Sequence, residues 1–284
     1  MSTLDNPSRF DIENVSIPSH IGGITGLMPY NCVGRWNYSY PDLVELYAKL
    51  GLHRYNMFKE TNYQLDFLVK FNMLQKFLPV FYMTLLAHDP ALDPLKKTFQ
   101  VEVDEHEVNS LNITCSISRV KDEVSPRRPY VPRFFHLDAA EKEEDGLFKG
   151  DLPDWPSDDA LNDAKRFYLV KKSEWQSNDW ISMYVDVFSK LEILDVAIET
   201  GIEDVEPPNE RLKATSANVY IKFKGLANVC SPGFESGEHV VCKAVVRRVL
   251  DVDGNLTIQG KFCGAPTNLK KPLQNGKRKN QSFK

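Results

Sequence analysis

NYQLDFLVKFNMLQKFLPVFYMTLLAHDPALDPLKKTFQVEVDEHEVNSLNITCSISRV, residues 62–120, is the stretch whose reading decides the fold. From Asn62 the apolar residues Leu65, Leu68 and Val69 fall at i, i+3 and i+4, and Asn62 is placed to cap a first turn, so the spacing predicts a helix over 62–74 with one buried face. Three strands are predicted after it, over 80–88, 98–104 and 111–119. Phe99, Val101 and Val103, then Leu111, Ile113, Cys115 and Ile117, alternate with polar partners, as half-buried antiparallel strands do. A helix laid across the apolar face of a short sheet supplies a core. It supplies no chemistry by itself.

Outward from that stretch, the pattern divides the chain into five parts. Residues 1–40 carry Gly22, Gly23, Gly26 and Pro29, which interrupt any period, and read as an irregular extension whose end Trp36, Tyr38 and Tyr40 pin to the core. Residues 41–120 form a first α+β half. It opens with a helix from Pro41 and Asp42, in which Leu43, Leu46, Tyr47 and Leu50 share a face and Gly51 suits a left-handed stop. Residues 121–158 hold five prolines, the basic cluster Arg127, Arg128 and Arg133, and the acidic run Glu141, Glu143, Glu144 and Asp145, the composition of an exposed connection.

Residues 159–265 form a second α+β half. Ser157 is placed to cap a helix running to Tyr168, and Ile181, Tyr184, Val185 and Phe188 give one face of a helix over 179–188. Strands follow at Leu194, Val196 and Ile198, at Val219, Ile221 and Phe223, and at Val240, Cys242, Ala244 and Val246. Asp253-Gly254 then makes a tight turn into 256–262. The two halves match in outline, helix 62–74 with 179–188, strand 98–104 with 218–224, and 111–119 with 240–248. The expected fold class is α+β, two similar halves in tandem. Residues 266–284 read as a disordered basic tail.

Composition excludes several classes. A net charge of −4 gives no general attraction to nucleic acid or to anionic membrane, no apolar run nears the length of a span, and the acidic first 20 residues do not read as a signal peptide. An intracellular protein is expected, and the tail Lys277-Arg278-Lys279 is compatible with a nuclear address. Five scattered cysteines fit reduced thiols better than a disulfide framework.

Candidate chemistry is sparse. Asp104, Glu105, His106 and Glu107 surround an imidazole with carboxylates, yet successive strand residues point to opposite faces, so a solvated turn is the better reading. His239 with Cys230, Cys242 and Cys263 has metal-ligand types without metal-site spacing. Cys115 and Cys242 fall in the apolar register, as small core residues do. No nucleophile elbow, phosphate loop or dinucleotide fingerprint is present. Tyr82 and His88 are strand residues that would line a groove if exposed. Lys243, Arg247 and Arg248, with Lys222 and Lys224 alongside, would give a basic sheet face, but without the aromatic pair of a nucleic-acid platform. No catalytic, cofactor-binding or metal-ligating residue is assigned, and no cofactor is expected.

Several blocks together resemble a known family: residues 51–56 (GLHRYN), 61–65 (TNYQL), 70–72 (KFN), 111–118, 152–157 (LPDWPS), 165–168 (KRFY) and 204–213. They are similar to a plant protein family of unknown biochemical function described as cystatin-related, some of whose members bear embryo-defective names. The resemblance runs from about Tyr40 to Gly264, and implies a cystatin/monellin-like fold and a connection with embryo development. Cystatins resemble the chain at Lys70-Phe71-Asn72, Tyr82 to Leu85 and Thr98 to Val103. Between helix and strand, however, they insert another strand and a Gln-x-Val-x-Gly hairpin that wedges into a protease cleft. With the helix at 62–74 too few residues remain for that insertion, and Gln-x-Val-x-Gly occurs nowhere. The expected function is therefore non-enzymatic, a scaffold binding a protein partner through sheet faces and edges, with neither nucleic acid nor membrane as partner. A degenerate cysteine-protease inhibitor and a small-molecule-binding or hydrolytic enzyme with a site between the halves are the competing readings.

Overall fold

β5 (Leu111–Val120) pairs on one side with β4 (Lys96–Glu105) and on the other with β10 (Leu256–Phe262), and this second pairing joins the beginning of the chain to its end. The computed structural model describes residues 9–11, 26–34, 41–74, 77–92, 95–108, 110–121, 146–186, 192–201, 207–226 and 239–263. These contain one ten-stranded antiparallel sheet in the order β1-β2-β3-β4-β5-β10-β9-β8-β7-β6. The remaining strands are β1 (Leu27–Asn31), β2 (Gln64–Leu74), β3 (Val80–His88), β6 (Phe167–Leu169), β7 (Ile193–Glu199), β8 (Ser216–Leu226) and β9 (His239–Leu250). Each run of five is a meander with sequential neighbours, and the two meet through their last strands.

One face of the sheet carries helix α1 (Asp42–Lys59) and helix α4 (Asp179–Asp186). A single apolar cluster beneath them runs from Phe81, Phe99 and Val101 through Ile113 and Ile258 to Val219 and Phe223. Arg54 of α1 crosses the seam between the two meanders, donating to the carbonyls of Ser118 and Gly254.

The helix expected over 62–74 is strand β2, and its physical reason is visible in the register. Leu65, Leu68 and Phe71 pair with Ala87, Leu85 and Met83, all on the helix-covered face, because register shifts fall between Leu65 and Phe67 and again between Leu68 and Lys70. Each bulge inserts one residue, so the two-residue period of a strand becomes a three-residue spacing that imitates a helix. The helix that does cover the first five strands begins at Asp42, as expected, and continues through Gly51 to Lys59. Gly51 is not its stop. A Cβ there would collide with both γ-carbons of Val101, so glycine lets the helix lie directly on β4. The left-handed position is Glu60, at φ 52°, whose N–H reaches the carbonyl of Asn56.

Other expectations are corrected more mildly. Within 1–40, read as irregular, 27–31 form β1, where Pro29 is tolerated because the strand lies at the sheet edge. Ser157 caps a helix, its Oγ accepting from the N–H of Ala160 at 3.2 Å, but α2 is only Asp158–Leu161 and the expected end at Tyr168 is edge strand β6. Helix α3 (Lys172–Ser177) is an addition. The turn at Asp253-Gly254 is a five-residue loop, since Leu250 pairs with Leu256, and Gly254 there has φ 78°. Cys242 is disulfide-bonded, against the expectation of five reduced thiols, while Cys32, Cys115 and Cys263 are free. The match of 62–74 with 179–188 fails, being strand against helix. Sheet order would instead pair β5 with β10 and β4 with β9 about the seam. Trp36, Tyr38, Tyr40, Phe188, the charged runs of the connection and the basic tail lie outside the described residues.

Candidate functional site

Three places in the described residues concentrate side chains beyond ordinary core packing. The first is the seam. Arg248 continues the apolar alternation of β9, one step past Val246, and is fully buried beneath the helices. Its Nη2 donates to the carbonyls of Ala214 at 2.6 Å and Leu212 at 3.3 Å, and its guanidinium carbon lies 4.4 Å from the ring centre of Trp180. His53 of α1 stacks on the same Trp180 at 5.6 Å, with Nε2 3.4 Å from the hydroxyl of Tyr184 and 3.5 Å from Arg248 Nη1. Burial, reinforced by the Arg248 charge, holds the imidazole well below its ordinary range, and burial pushes the Tyr184 hydroxyl up to about 12. These are the shifted, buried groups that an enzyme between the halves would require. They pair with one another and with backbone carbonyls, an arrangement that fixes α1, α4 and β9 together, while Arg248 Nε makes no hydrogen bond among the described residues.

The second place is the opposite face of the last five strands. Buried Glu199 accepts from Arg166 Nε, from the Tyr220 hydroxyl at 2.6 Å and from Asn218 Nδ2 at 3.3 Å. Arg247 donates to Asn218 and to the carbonyls of Gly150 and Asp151, and Arg211 to those of Lys165 and Arg166. The network straps residues 150–166 over the sheet, and Trp155 lies between Tyr220 and the Lys243 ammonium. The basic face envisaged from sequence is therefore not assembled. Arg248 points to the other side, Arg247 is covered, Lys222 pairs with Asp195 and Lys224 with Glu192.

The third place is the end of the sheet where hairpins β2–β3 and β4–β5 turn. Because β3 and β4 are paired from Val80 with Asp104 onward, the two turns leave the sheet side by side, tied by the Glu105 N–H to the carbonyl of Pro79. Phe77 stands on the first tip 88% exposed and Val108 on the second 54% exposed. Below them His106 is held by its N–H to Asn112 and by Nε2 at 2.9 Å from Thr114 Oγ1. The Tyr47 hydroxyl donates to Glu105 at 2.7 Å, bringing the first turn of α1, with half-exposed Leu43, to the same end.

The residues singled out from sequence disperse accordingly. Glu105 faces α1, Asp104 the other side, and Glu107 lies exposed in the turn, so the acidic quartet does not converge. Among the described residues no group of three His, Cys, Asp or Glu side chains could hold a metal ion. Cys230 and the side chain of His239 lie outside the described residues. Burial pushes the Cys115 thiol up to about 12, the state of an inert core residue. Tyr82 does not line an open groove, since Phe10 and Arg9 cover it. No described helix is long and apolar enough to cross a membrane. Sequence reading placed Arg248 on a basic sheet face, although the strict alternation from Val240 carries it to the apolar side, and missed the paired tips because the β2–β3 hairpin was hidden inside the expected helix.

Comparison with known proteins follows the same outline. A family model described as Protein MS5 matches residues 152–258. The Arabidopsis thaliana UPF0725 proteins At1g23970 and At1g23950 are each 46% identical, over 90% and 93% of this chain and 85% and 88% of their own lengths. UPF0725 protein EMB2204 of the same plant is 37% identical over 92% of this chain and 80% of its own. The crystal structure of MS5 from Brassica napus superposes with a TM-score of 0.60 at 29% identity, covering 79% of this chain and 98% of that one. With this identity over nearly the whole length, the chain belongs to the UPF0725 family of plant proteins.

Proposed function

We propose that this protein is a non-enzymatic scaffold that binds another protein, with the neighbouring β2–β3 and β4–β5 hairpin tips as its principal contact. The observation that carries the reading is Phe77, an aromatic ring left almost wholly in water on one hairpin tip, with a second exposed apolar side chain, Val108, on the adjoining tip. Burying such a ring is worth about 2 kcal/mol, which a partner surface recovers and an isolated chain does not. The flanking carboxylates of Asp104 and Glu107 supply a polar rim to the apolar centre, as interfaces have.

A second reading, inhibition of a cysteine protease, gains from the corrected helix. With α1 at 42–59, a strand and a hairpin do stand between the helix and β3, the place where cystatins carry their wedge. Residues 75–79, Gln-Lys-Phe-Leu-Pro, keep the glutamine of Gln-x-Val-x-Gly and replace its valine and glycine. The cystatin-like order of the first half, and a second half of similar build, are part of this proposal. So are an intracellular site with the basic tail as nuclear address, and a connection with embryo development that rests on the name of one relative, EMB2204.

One experiment separates the readings. The tagged full chain, and the same chain carrying Phe77→Asp and Val108→Asp, are used to capture proteins from plant embryo extract and are assayed against a papain-like protease. The scaffold reading expects one reproducibly enriched partner that the double variant loses at unchanged melting temperature. Equal capture by both chains removes the tips from the proposal. The inhibitor reading expects slowing of the protease at micromolar concentration, abolished by the same substitutions, and no slowing disposes of it.

A further inference from the structure

The outer face of β2–β5, opposite α1, is crossed by three residues from far away in sequence. Arg9 donates from Nη1 to the Tyr82 hydroxyl at 2.6 Å, and its carbonyl accepts from Asn72 Nδ2 at 2.7 Å. Phe10, 4% exposed, meets the Tyr82 ring edge-on at 5.6 Å in a slot that includes Val80, Leu74 and Ile117. Asp11 accepts from Lys70 at 2.8 Å and pairs with Lys121 at 3.5 Å. Burial works to raise its carboxyl, and the two ammonium groups outweigh this and hold it below its ordinary range. Arg119, clamped by two donations to Gln100, lies 6.0 Å above the Phe10 ring.

We propose that this face is a recognition site for an extended peptide presenting a cation, an aromatic ring and a carboxylate in successive positions. Arg9-Phe10-Asp11 is its resident occupant in the same chain, and a partner protein's segment of the same order displaces it. A segment that only covered a core would need apolar side chains, whereas here each of three chemistries has its own subsite. The buried face beneath is mixed: beside the apolar slot of Phe10, Asn72 Oδ1 and Thr84 Oγ1 make no hydrogen bond among the described residues, so it offers polar as well as apolar subsites rather than bare core. An occupant tethered in the same chain competes at an effective concentration on the order of millimolar, which sets how far it must be weakened before a free peptide enters.

The inference rests on the protein-binding reading in general, and not on the hairpin tips. Its test uses the full chain carrying Phe10→Ser and Asp11→Lys, checked for unchanged circular dichroism, and a fluorescent peptide of residues 5–15 (DNPSRFDIENV). The opened chain binds this peptide about 10- to 100-fold more tightly than the natural chain, the ratio expected when a tethered competitor is removed. A peptide with Arg9, Phe10 and Asp11 scrambled binds at least about tenfold more weakly. If the double variant unfolds, Asp11→Lys alone, with Phe10 still seated, is used with the same expected direction. No binding by a folded, opened chain overturns the proposal, as does equal binding of the scrambled peptide. A natural chain that dimerises, with Phe10→Ser abolishing the dimer, overturns the assignment to a partner protein in favour of a second copy. Phe77→Asp leaves peptide affinity unchanged, so failure here and failure at the hairpin tips are distinguishable.

Discussion

Arg248→Ala lowers the unfolding free energy by about 3–5 kcal/mol, the combined cost of a buried cavity and of carbonyls left without their donor. At ~2–4 °C per kcal/mol for a large domain, the melting temperature falls by several times that interval. The guanidinium is fully buried, and it gathers the Leu212 and Ala214 carbonyls, the Trp180 face and the His53 imidazole around one strand position. Truncation leaves those two carbonyls unpaired by it and opens a cavity of several methylenes. Arg248→Met, which keeps most of the volume, costs less than alanine because it avoids most of the cavity and leaves mainly the carbonyls without their donor. Denaturant unfolding of the three chains checks this, and an alanine variant within about 1 kcal/mol of the natural chain would show the seam to be held by its apolar packing alone.

How much of this was readable in advance differs from element to element, for physical reasons. Strands β4, β5, β8 and β9 announce themselves because one face lies in the large apolar cluster while the other carries mostly polar side chains, so alternation survives from Phe99 to Val103 and from Val240 to Val246. β2 conceals itself because its two bulges turn alternation into a spacing of three. Gly51 misleads in the same way, since a helix-ending residue and a helix-touching residue are both glycine, and only the position of Val101 distinguishes them. The β5–β10 pairing joins residues more than 130 positions apart, Leu256 beside Cys115, and no local pattern encodes it. The candidate sites share that limit. Phe77 and Val108 come to the same end of the sheet only once β3 and β4 are paired, and Arg9-Phe10-Asp11 acquires meaning only on finding Tyr82 and Lys70.

His53 makes the same seam sensitive to acid, and the sign follows from the direction of its shift. In the unfolded chain the imidazole takes a proton near its ordinary value of 6.5. In the folded chain burial, and then the Arg248 charge, oppose that proton until much lower pH. Above 6.5 both states hold a neutral ring and His53 contributes no pH dependence. As pH falls below 6.5 the unfolded state alone gains the proton, and stability declines by about 1.4 kcal/mol per pH unit until the folded-state value is reached. The carboxylates of Asp11, Glu174 and Glu192, each held below its ordinary range, add a loss of the same sign at lower pH. They are present in every variant of His53, so the comparison removes them. Unfolding free energies of the natural chain and of His53→Phe, which keeps a ring against Trp180, are measured from pH 7.5 to 5. The natural chain loses about 2 kcal/mol more than the variant between 6.5 and 5. Parallel profiles would mean that the buried ring is reached by solvent or takes a proton despite Arg248, and that the seam opens before the sheet does.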